Sequence, residues 1–176
     1  MIETERLKLI PLNHQQVELL KQKPKVLAQL LGTTYQPFQH APETINDHIE
    51  AIEFWLHNTK LNPANFEWFT NWEIILKSEN VTIGGIGFTG TPDELGETEV
   101  GYGIDIRYFN KGFATEALAA IMQWAFKHEK LSAIKANTLI NHIASQKVLI
   151  KNGFERVDVQ TGLIAWLAIK PKEFDE

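Results

Sequence analysis

Residues 107–118 read RYFNKGFATEAL and determine how the second half of the chain folds. The first residues are typical of a strand end, and the last five begin a helix. Between them Gly112 follows Lys111, with no acidic residue before Glu116. The first turn of a helix has backbone N–H groups without internal partners, and the helix dipole makes that end positive. The stretch is therefore either an ordinary turn capped by Asn110 or a turn that holds an anion.

The hydrophobic patterns on both sides of this turn predict a mixed α+β fold. Strands are predicted at residues 4–12, 66–77, 81–89, 97–108, 133–139, 154–159 and 163–169, and helices at about 13–26, 42–57, 111–130 and 141–152. The helix that begins in the quoted stretch returns the chain to a strand parallel to the one before it, which makes a β-α-β unit. The pair Gly84-Gly85 inside a strand indicates a bulge or a close approach by another group. At this length we expect a single domain over residues 1–176.

The composition narrows the classes of function. The chain has no cysteine, which excludes a disulfide framework, a thiolate metal site and a cysteine nucleophile. It has no HExxH or GxSxG motif, so we expect no metal site and no serine hydrolase. A net charge of −5 with scattered basic residues disfavours nucleic-acid binding. No apolar run suits a membrane span and the N-terminus does not read as a signal peptide, so we expect a cytoplasmic protein without a membrane partner.

Two blocks of sequence resemble a known family. NKGFATEAL, followed by NHIASQKVLIKNGFE, resembles the GNAT superfamily of acyl-CoA-dependent N-acyltransferases, and within it the ribosomal-protein N-terminal acetyltransferases. Gly112 and Ala114 fall on the family's pyrophosphate-loop pattern, whereas Phe109 stands where an Arg or Gln is usual. The second block matches through Asn141, Ser145, Gly153 and Phe154. TERLKLIPL, VTIGGIGF and EVGYGID resemble the family's first, third and fourth strands, so the resemblance covers nearly the whole chain. It implies a GNAT-type, mostly antiparallel sheet of about seven strands with about four helices.

The resemblance also implies acetyl-CoA as co-substrate and no metal. The pyrophosphate would rest on backbone N–H groups of the quoted stretch, and the pantetheine arm would pair with the preceding strand like an added strand. Gly101 and Gly103 would then be small because a ligand lies beside them, and otherwise they mark a bulge. The residues implied in acetyl-CoA binding are Ile104, Asp105, Ile106, Asn110, Lys111, Gly112, Phe113, Ala114, Thr115, Asn141 and Ser145.

The family's reaction is the attack of a neutral amine on a thioester, which calls for a base and a proton donor. Glu99 is the candidate base because strand alternation places it on the same face as the glycine that follows, with Glu97 in reserve. Otherwise Glu99 is an exposed strand carboxylate. A backbone N–H near Ile104 is the candidate oxyanion donor. Many family members have a Tyr where this chain has Leu149, so Ser145 is the candidate donor to the leaving thiolate.

These observations predict an acetyl-CoA-dependent N-acetyltransferase that acts on a primary amine, either a protein N-terminus or a small amine, as a monomer or homodimer. The two N-terminal helices and the loop at residues 90–97 are expected to shape the acceptor pocket. Two alternatives remain open: a GNAT-fold module that senses acyl-CoA without turnover, and a structural domain without a ligand. Asn141 then serves as a helix cap and Ser145 as a small packing residue.

Overall fold

The computed structural model describes residues 1–174, apart from the side chains of residues 43, 46 and 173. The strands are β1 (Ile2–Glu3), β2 (Leu7–Pro11), β3 (Trp72–Leu76), β4 (Val81–Phe88), β5 (Glu97–Ile104), β6 (Ala133–Leu139), β7 (Glu155–Gln160) and β8 (Leu163–Ile169). The α-helices are α1 (His14–Gln22), α2 (Pro24–Leu30), α3 (Ile45–Leu61), α4 (Phe113–Ala125) and α5 (Ile143–Lys151). One sheet has the order β1-β2-β3-β4-β5-β6-β8-β7, and its neighbours are antiparallel except β5 and β6. The predicted α+β fold and its β-α-β unit are confirmed, with eight strands and five α-helices in the described part of the chain.

The predicted helix at residues 13–26 is two helices. Asn13 caps α1 as expected, because its side chain accepts from the Gln16 N–H at 3.0 Å while the Gln16 side chain accepts from the Asn13 N–H at 2.9 Å. Lys23 then leaves helical geometry, and Pro24 starts α2. Proline suits this position because the N–H group that it lacks would have no acceptor within the helix. Inside one continuous helix the same proline would remove a hydrogen bond, so the single-helix prediction is wrong.

The predicted strand at residues 66–77 is too long at its start. Residues 66–68 form a 3₁₀ turn, and β3 begins only at Trp72. The turn directs Trp68 into the core, where its ring centroid lies 4.7 Å from that of Trp124. Aromatic residues favour strands by propensity, but here burial of a large ring against α4 determines the local conformation.

The glycine pair in β4 marks a close approach, and a bulge lies directly before it. Ile74 is opposite Gly84 and Ile75 is opposite Thr82, so Ile83 is the extra residue. A Cβ on Gly84 would lie 2.4 Å from the Gly103 carbonyl oxygen, and one on Gly85 would lie 2.2 Å from Asn71 Oδ1. The close approach is therefore confirmed at both glycines, since no side chain fits at either position.

The main hydrophobic core lies between the sheet and α4, and a smaller core holds α1, α2 and α3 together. Ala117, Leu118 and Ile121 of α4 are fully buried against the strands. The smaller core contains Val17 of α1 and Leu27 of α2. A cleft of about 720 Å³ lies between these N-terminal helices and the sheet.

Candidate active site

The turn before α4 presents a row of unpaired backbone N–H groups. Gly112 is the N-cap residue of α4 with φ 81°, and Asn110 also has a positive φ of 59°. Within residues 1–174, no N–H from Asn110 to Thr115 donates a hydrogen bond. The helix begins at Phe113 rather than at the expected residue 111. Asn110 does not cap it, so the alternative of an ordinary turn capped by Asn110 is wrong. Glycine adopts this left-handed conformation without strain. Successive N–H groups beside such residues form a concavity that suits an anion.

Arg6, next to β2 in sequence, holds this turn in place. Its Nε donates to Glu116 Oε2 at 2.6 Å, and its Nη1 donates to the Lys111 carbonyl oxygen at 3.0 Å. Its guanidinium carbon also lies 4.5 Å from the Phe113 ring centroid. Glu116 further accepts from the Thr4 hydroxyl at 2.6 Å, so it is a structural anchor. The Lys111 ammonium lies over the Tyr108 ring, 5.1 Å from its centroid, and its side chain is exposed.

The edge of β5 that faces β6 is open over its second half. Register pairs join the two strands only at Glu97, Thr98 and Glu99, after which the strands diverge. The Glu99 carbonyl accepts from the Thr89 N–H at 3.0 Å, so odd-numbered residues of β5 point their hydrogen-bonding groups toward β4. Because these directions alternate along a strand, the N–H and C=O groups of Tyr102 and Ile104 point into the opening.

The residues after Ile104 do not continue this open edge. The Asp105 N–H donates to the Ile83 carbonyl at 2.8 Å, and the Ile106 N–H donates to the Gln39 carbonyl at 3.1 Å. The predicted strand 97–108 is therefore wrong beyond Ile104, because the Asp105 carboxylate accepts from the Arg107 N–H at 3.0 Å and turns the chain. Burial raises the pKa of Asp105, but hydrogen bonds from Arg107 and Gln39 outweigh it and leave the pKa below its usual value.

The floor of the cleft is a patch of glycine backbone. A Cβ on Gly101 or Gly103 would meet no atom within 4 Å, and the register of β5 against β4 runs unbroken through both residues. They therefore mark open space rather than a bulge. Residues of α2 and α3 and of the segment 33–40 form the facing wall, together with Leu20 of α1. Among the described residues, none from the loop at residues 90–97 lines this cleft, contrary to the expectation that this loop helps to shape the pocket.

Glu99 lines the cleft at the point where β5 and β6 part. It is half-buried, and its Oε1 accepts from Asn137 Nδ2 at 3.0 Å, which fixes the carboxylate between the two strands. Glu97, the reserve candidate, forms an ion pair with Lys135. Glu99 thus has a free second oxygen within a cleft, whereas the Glu97 carboxylate is engaged with a cation.

A tyrosine from β5 meets Ser145 across the opening. The Tyr102 hydroxyl lies 2.9 Å from Ser145 Oγ and 3.2 Å from the Ser145 carbonyl oxygen. Burial raises the pKa of Tyr102 to about 12, against the opposing hydrogen bond with Ser145. Leu149 is buried in the core, and α5 begins at Ile143 with His142 as its N-cap. The exposed Asn141 is therefore no helix cap.

The wall opposite the glycine patch is aromatic. The ring centroids of His40 and His48 lie 4.3 Å apart. Phe38 lies 4.5 Å from His40, and Trp55 lies 6.3 Å from His48. Burial lowers the pKa of His40, and burial followed by the charge of His40 lowers that of His48 to about 4. Both rings are therefore neutral at neutral pH.

A buried carboxylate lies at the β3 side of the same cleft. Glu73 is 5% exposed, and its Oε1 accepts from Asn71 Nδ2 at 2.6 Å. Burial raises the pKa of Glu73 to about 7, against hydrogen bonds with Thr82 and Asn71. The other amide atom, Asn71 Oδ1, is buried and has no hydrogen-bond partner among the described residues. Sequence patterns gave no sign of this pair, because Glu73 sits in a run of apolar strand residues.

The turn, the open strand edge and the cleft agree with the comparison against protein families. A family model described as an acetyltransferase (GNAT) domain matches residues 6–155. The chain belongs to the GNAT acetyltransferase family. Acetyl transfer from acetyl-CoA is the activity of this family in general, and the match includes the turn before α4, β5 and α5.

Relatives within the GNAT family support the same assignment. The chain is 30% identical over 154 residues to the uncharacterized N-acetyltransferase YjdG of Bacillus subtilis, covering 88% of this chain and 89% of that protein. The fold is similar to that of RimL, a ribosomal L7/L12 α-N-protein acetyltransferase solved with coenzyme A, at a TM-score of 0.63 and 16% identity over 94% of this chain and 95% of RimL. It is also similar to a ribosomal-protein-S5-alanine acetyltransferase of Vibrio fischeri, at a TM-score of 0.62 and 18% identity over 96% and 95% of the two chains. Among the described residues, no helix has the length and apolar character to cross a membrane.

Proposed function

We propose that this chain is an acetyl-CoA-dependent N-acetyltransferase that moves an acetyl group to a primary amine, either a peptide N-terminus or a small amine. One observation carries the proposal: the open edge of β5 lines the cleft at Tyr102 and Ile104 and leads along the chain to the unpaired N–H groups before α4. An anion cradle that leads along a free strand edge into a pocket suits a long phosphorylated thioester and a separate acceptor.

Backbone groups provide most of the proposed acetyl-CoA site. The N–H groups from Asn110 to Thr115 receive the pyrophosphate, and those of Phe113 and Ala114 do so from the first turn of α4. Lys111 adds a mobile charge, and Asn141 borders the arm from the start of α5. The N–H and C=O groups of Tyr102 and Ile104 pair with the pantetheine amides. The expected pairing stretch was 104–106, but the N–H groups of Asp105 and Ile106 already donate to carbonyls within the protein.

Glu99 is the proposed base. A primary amine is mostly protonated at neutral pH and attacks only after losing its proton, which a carboxylate accepts directly or through one water. The Asn137 amide holds one oxygen of Glu99 and leaves the other for this proton. Acetyl-CoA supplies the acetyl thioester, and the backbone N–H of Tyr102 or Ile104 stabilises negative charge on its carbonyl oxygen.

Tyr102 and Ser145 are the proposed source of the proton for the leaving thiolate. Their hydroxyl groups are 2.9 Å apart, so a proton given to the thiolate by one hydroxyl is replaced from the other, and water at the half-buried Ser145 restores the proton that the pair has lost. The raised pKa of Tyr102 keeps its phenol protonated at neutral pH, as a proton donor must be. Tyr102 and Ser145 thus provide the proton donor for which many family members use a tyrosine at the position of Leu149.

The proposal is tested by measuring free CoA released from acetyl-CoA with a panel of small amines and peptide N-termini. Release that depends on the amine, with the acetylated product identified by mass spectrometry, is the expected result. Tight binding of CoA without turnover on any amine would instead favour the sensor alternative, and no thermal shift with acetyl-CoA would favour a domain without a ligand.

The role of Glu99 has its own test. Replacing it by glutamine is expected to lower kcat about 100-fold near pH 7, the low end for loss of general-base catalysis. Activity should recover at high pH, where the amine loses its proton without help. The matched control is Glu97→Gln, which changes the carboxylate that pairs with Lys135 and is expected to retain activity. Identical pH profiles for Glu99→Gln and the parent protein would remove Glu99 from the mechanism.

A further inference from the structure

We infer that the acceptor is an amine that carries a second cationic group, and that Glu73 and Asn71 at the β3 side of the cleft receive this second group. The inference rests on the proposed acetyl-transfer function and names its substrate class. It begins from two groups that the transfer reaction does not use. Glu73 is a buried carboxylate, and the Oδ1 atom of Asn71 is a buried acceptor without a partner, in a residue only 4% exposed.

The charge of the cleft favours a cation. Its lining contains the carboxylates Asp47, Glu73 and Glu99, and no lysine or arginine among the described residues. The two lining histidines, His40 and His48, are neutral at neutral pH because burial lowers their pKa. A cationic ligand would therefore enter a cleft whose ionisable groups are either negative or neutral.

Glu73 itself lacks the partner that a buried carboxylate normally has. Its hydrogen bonds come from the Asn71 amide at 2.6 Å and from Thr82, both uncharged. Buried carboxylates are as a rule paired with a cation, and an unpaired one is costly to the fold. Asn71 Oδ1 adds a second acceptor at the same place. An ammonium group has several N–H donors and no acceptor, so it matches two neighbouring acceptors.

The facing wall is suited to the same ligand. Phe38, His48 and Trp55 line the cleft opposite the sheet, and Trp55 presents an aromatic ring only 6.3 Å from that of His48. Aromatic faces attract cations and cover the apolar chain between two charged ends. The glycine patch at Gly101 and Gly103 leaves the floor flat between the two ends of the cleft.

The register of the sheet sets the distance between the two ends of the acceptor. Glu73 is opposite Gly85, and Gly85 is opposite Gly103, so Glu73 lies two strand spacings, about 10 Å, from β5. A five-carbon linker has six bonds between its two nitrogens and spans about 7 Å when extended. The hydrogen bond from the second ammonium to Glu73, about 3 Å long, covers the rest.

The test compares three acceptors of equal carbon number: cadaverine, pentylamine and 5-aminopentanol, whose second polar group is an uncharged hydroxyl. With acetyl-CoA, kcat/KM for cadaverine is expected to exceed that for each monoamine at least tenfold, since one charged hydrogen bond distinguishes them. Glu73→Gln is expected to lower the ratio of cadaverine to pentylamine at least tenfold, whereas Glu129→Gln, at an exposed position outside the cleft, leaves the ratio unchanged.

Failure of this inference is distinct from failure of the proposed function. Equal kcat/KM for cadaverine and pentylamine would overturn the inference and leave acetyl transfer intact. Transfer to none of the amines would contradict the proposed function. Calorimetric titration in the presence of CoA then decides the inference by itself: cadaverine binding at least tenfold more tightly than pentylamine supports it, and equal affinity overturns it.

Discussion

Replacing Glu73 by glutamine is expected to stabilise the protein above neutral pH and to leave its stability in acid almost unchanged. Glu73 is 5% exposed, and its hydrogen-bond partners in the described part of the chain, Asn71 and Thr82, are uncharged. Burial raises its pKa from an ordinary value of 4.5 to about 7. The folded chain therefore holds this proton over a pH range in which the unfolded chain has lost it.

The sign and size of the effect follow from proton linkage. Between pH 4.5 and about 7 the folded state binds more protons at Glu73 than the unfolded state does, so the free energy of unfolding falls as pH rises. At about 1.36 kcal/mol for each pH unit, the total loss is about 3 kcal/mol, complete above the folded-state pKa. Glutamine has the same shape and does not titrate, so this loss is absent from the variant.

The measurement is urea unfolding of the parent protein and of Glu73→Gln at a series of pH values from 4.5 to 8. The difference between the two free energies of unfolding removes the contributions of all other titrating groups. It should grow by about 3 kcal/mol in favour of the variant across this range. Glu129→Gln, at an exposed position, should give a flat difference. A flat difference for Glu73→Gln as well would refute the burial of an unpaired carboxylate.

Three further predictions concern the proposed site. Gly112→Asp should raise the KM for acetyl-CoA at least tenfold by placing a carboxylate among the N–H groups, whereas Gly162→Asp, with the same φ of 81° in the β7–β8 turn, should leave KM unchanged in the same assay. Gly103→Leu should fill the cleft and abolish transfer with little change in Tm, whereas Gly85→Ala should lower Tm because its Cβ would lie 2.2 Å from another side chain. Tyr102→Phe should lower kcat about tenfold while KM for acetyl-CoA stays within twofold, and an unchanged kcat would remove the phenol from the mechanism.

Local sequence patterns predicted the succession of elements and most of the fold. They are reliable where a single period of hydrophobic residues dominates. The strand predicted at 81–89, for example, ends within one residue of its expected end. They fail where two local preferences compete. Pro24 starts a new helix because a proline fits the first turn better than the middle, and Trp68 leaves strand geometry because burial of its ring prevails.

The site was predictable only in its local part. The turn at Gly112 and the strand carboxylate Glu99 could be found because glycine in a strand-to-helix turn and alternation along a strand are local signals. The contact of Tyr102 with Ser145 joins residues 43 positions apart, and that of Arg6 with Glu116 joins residues 110 apart. Such pairs follow from the pairing order of the strands, which no local pattern in one sequence encodes.

Glu73 and Glu99, two of the carboxylates of the cleft, have different proposed roles because they lie at different distances from the open edge of β5. A general base must reach the proton directly or through one water, and Glu99, at the last paired position of β5, meets this condition. Glu73, two strand spacings away, does not. With pentylamine, kcat should therefore fall more in Glu99→Gln than in Glu73→Gln, whereas KM for cadaverine should rise more in Glu73→Gln. The reverse order would assign the base to Glu73 and would place the reacting amine at the β3 side of the cleft.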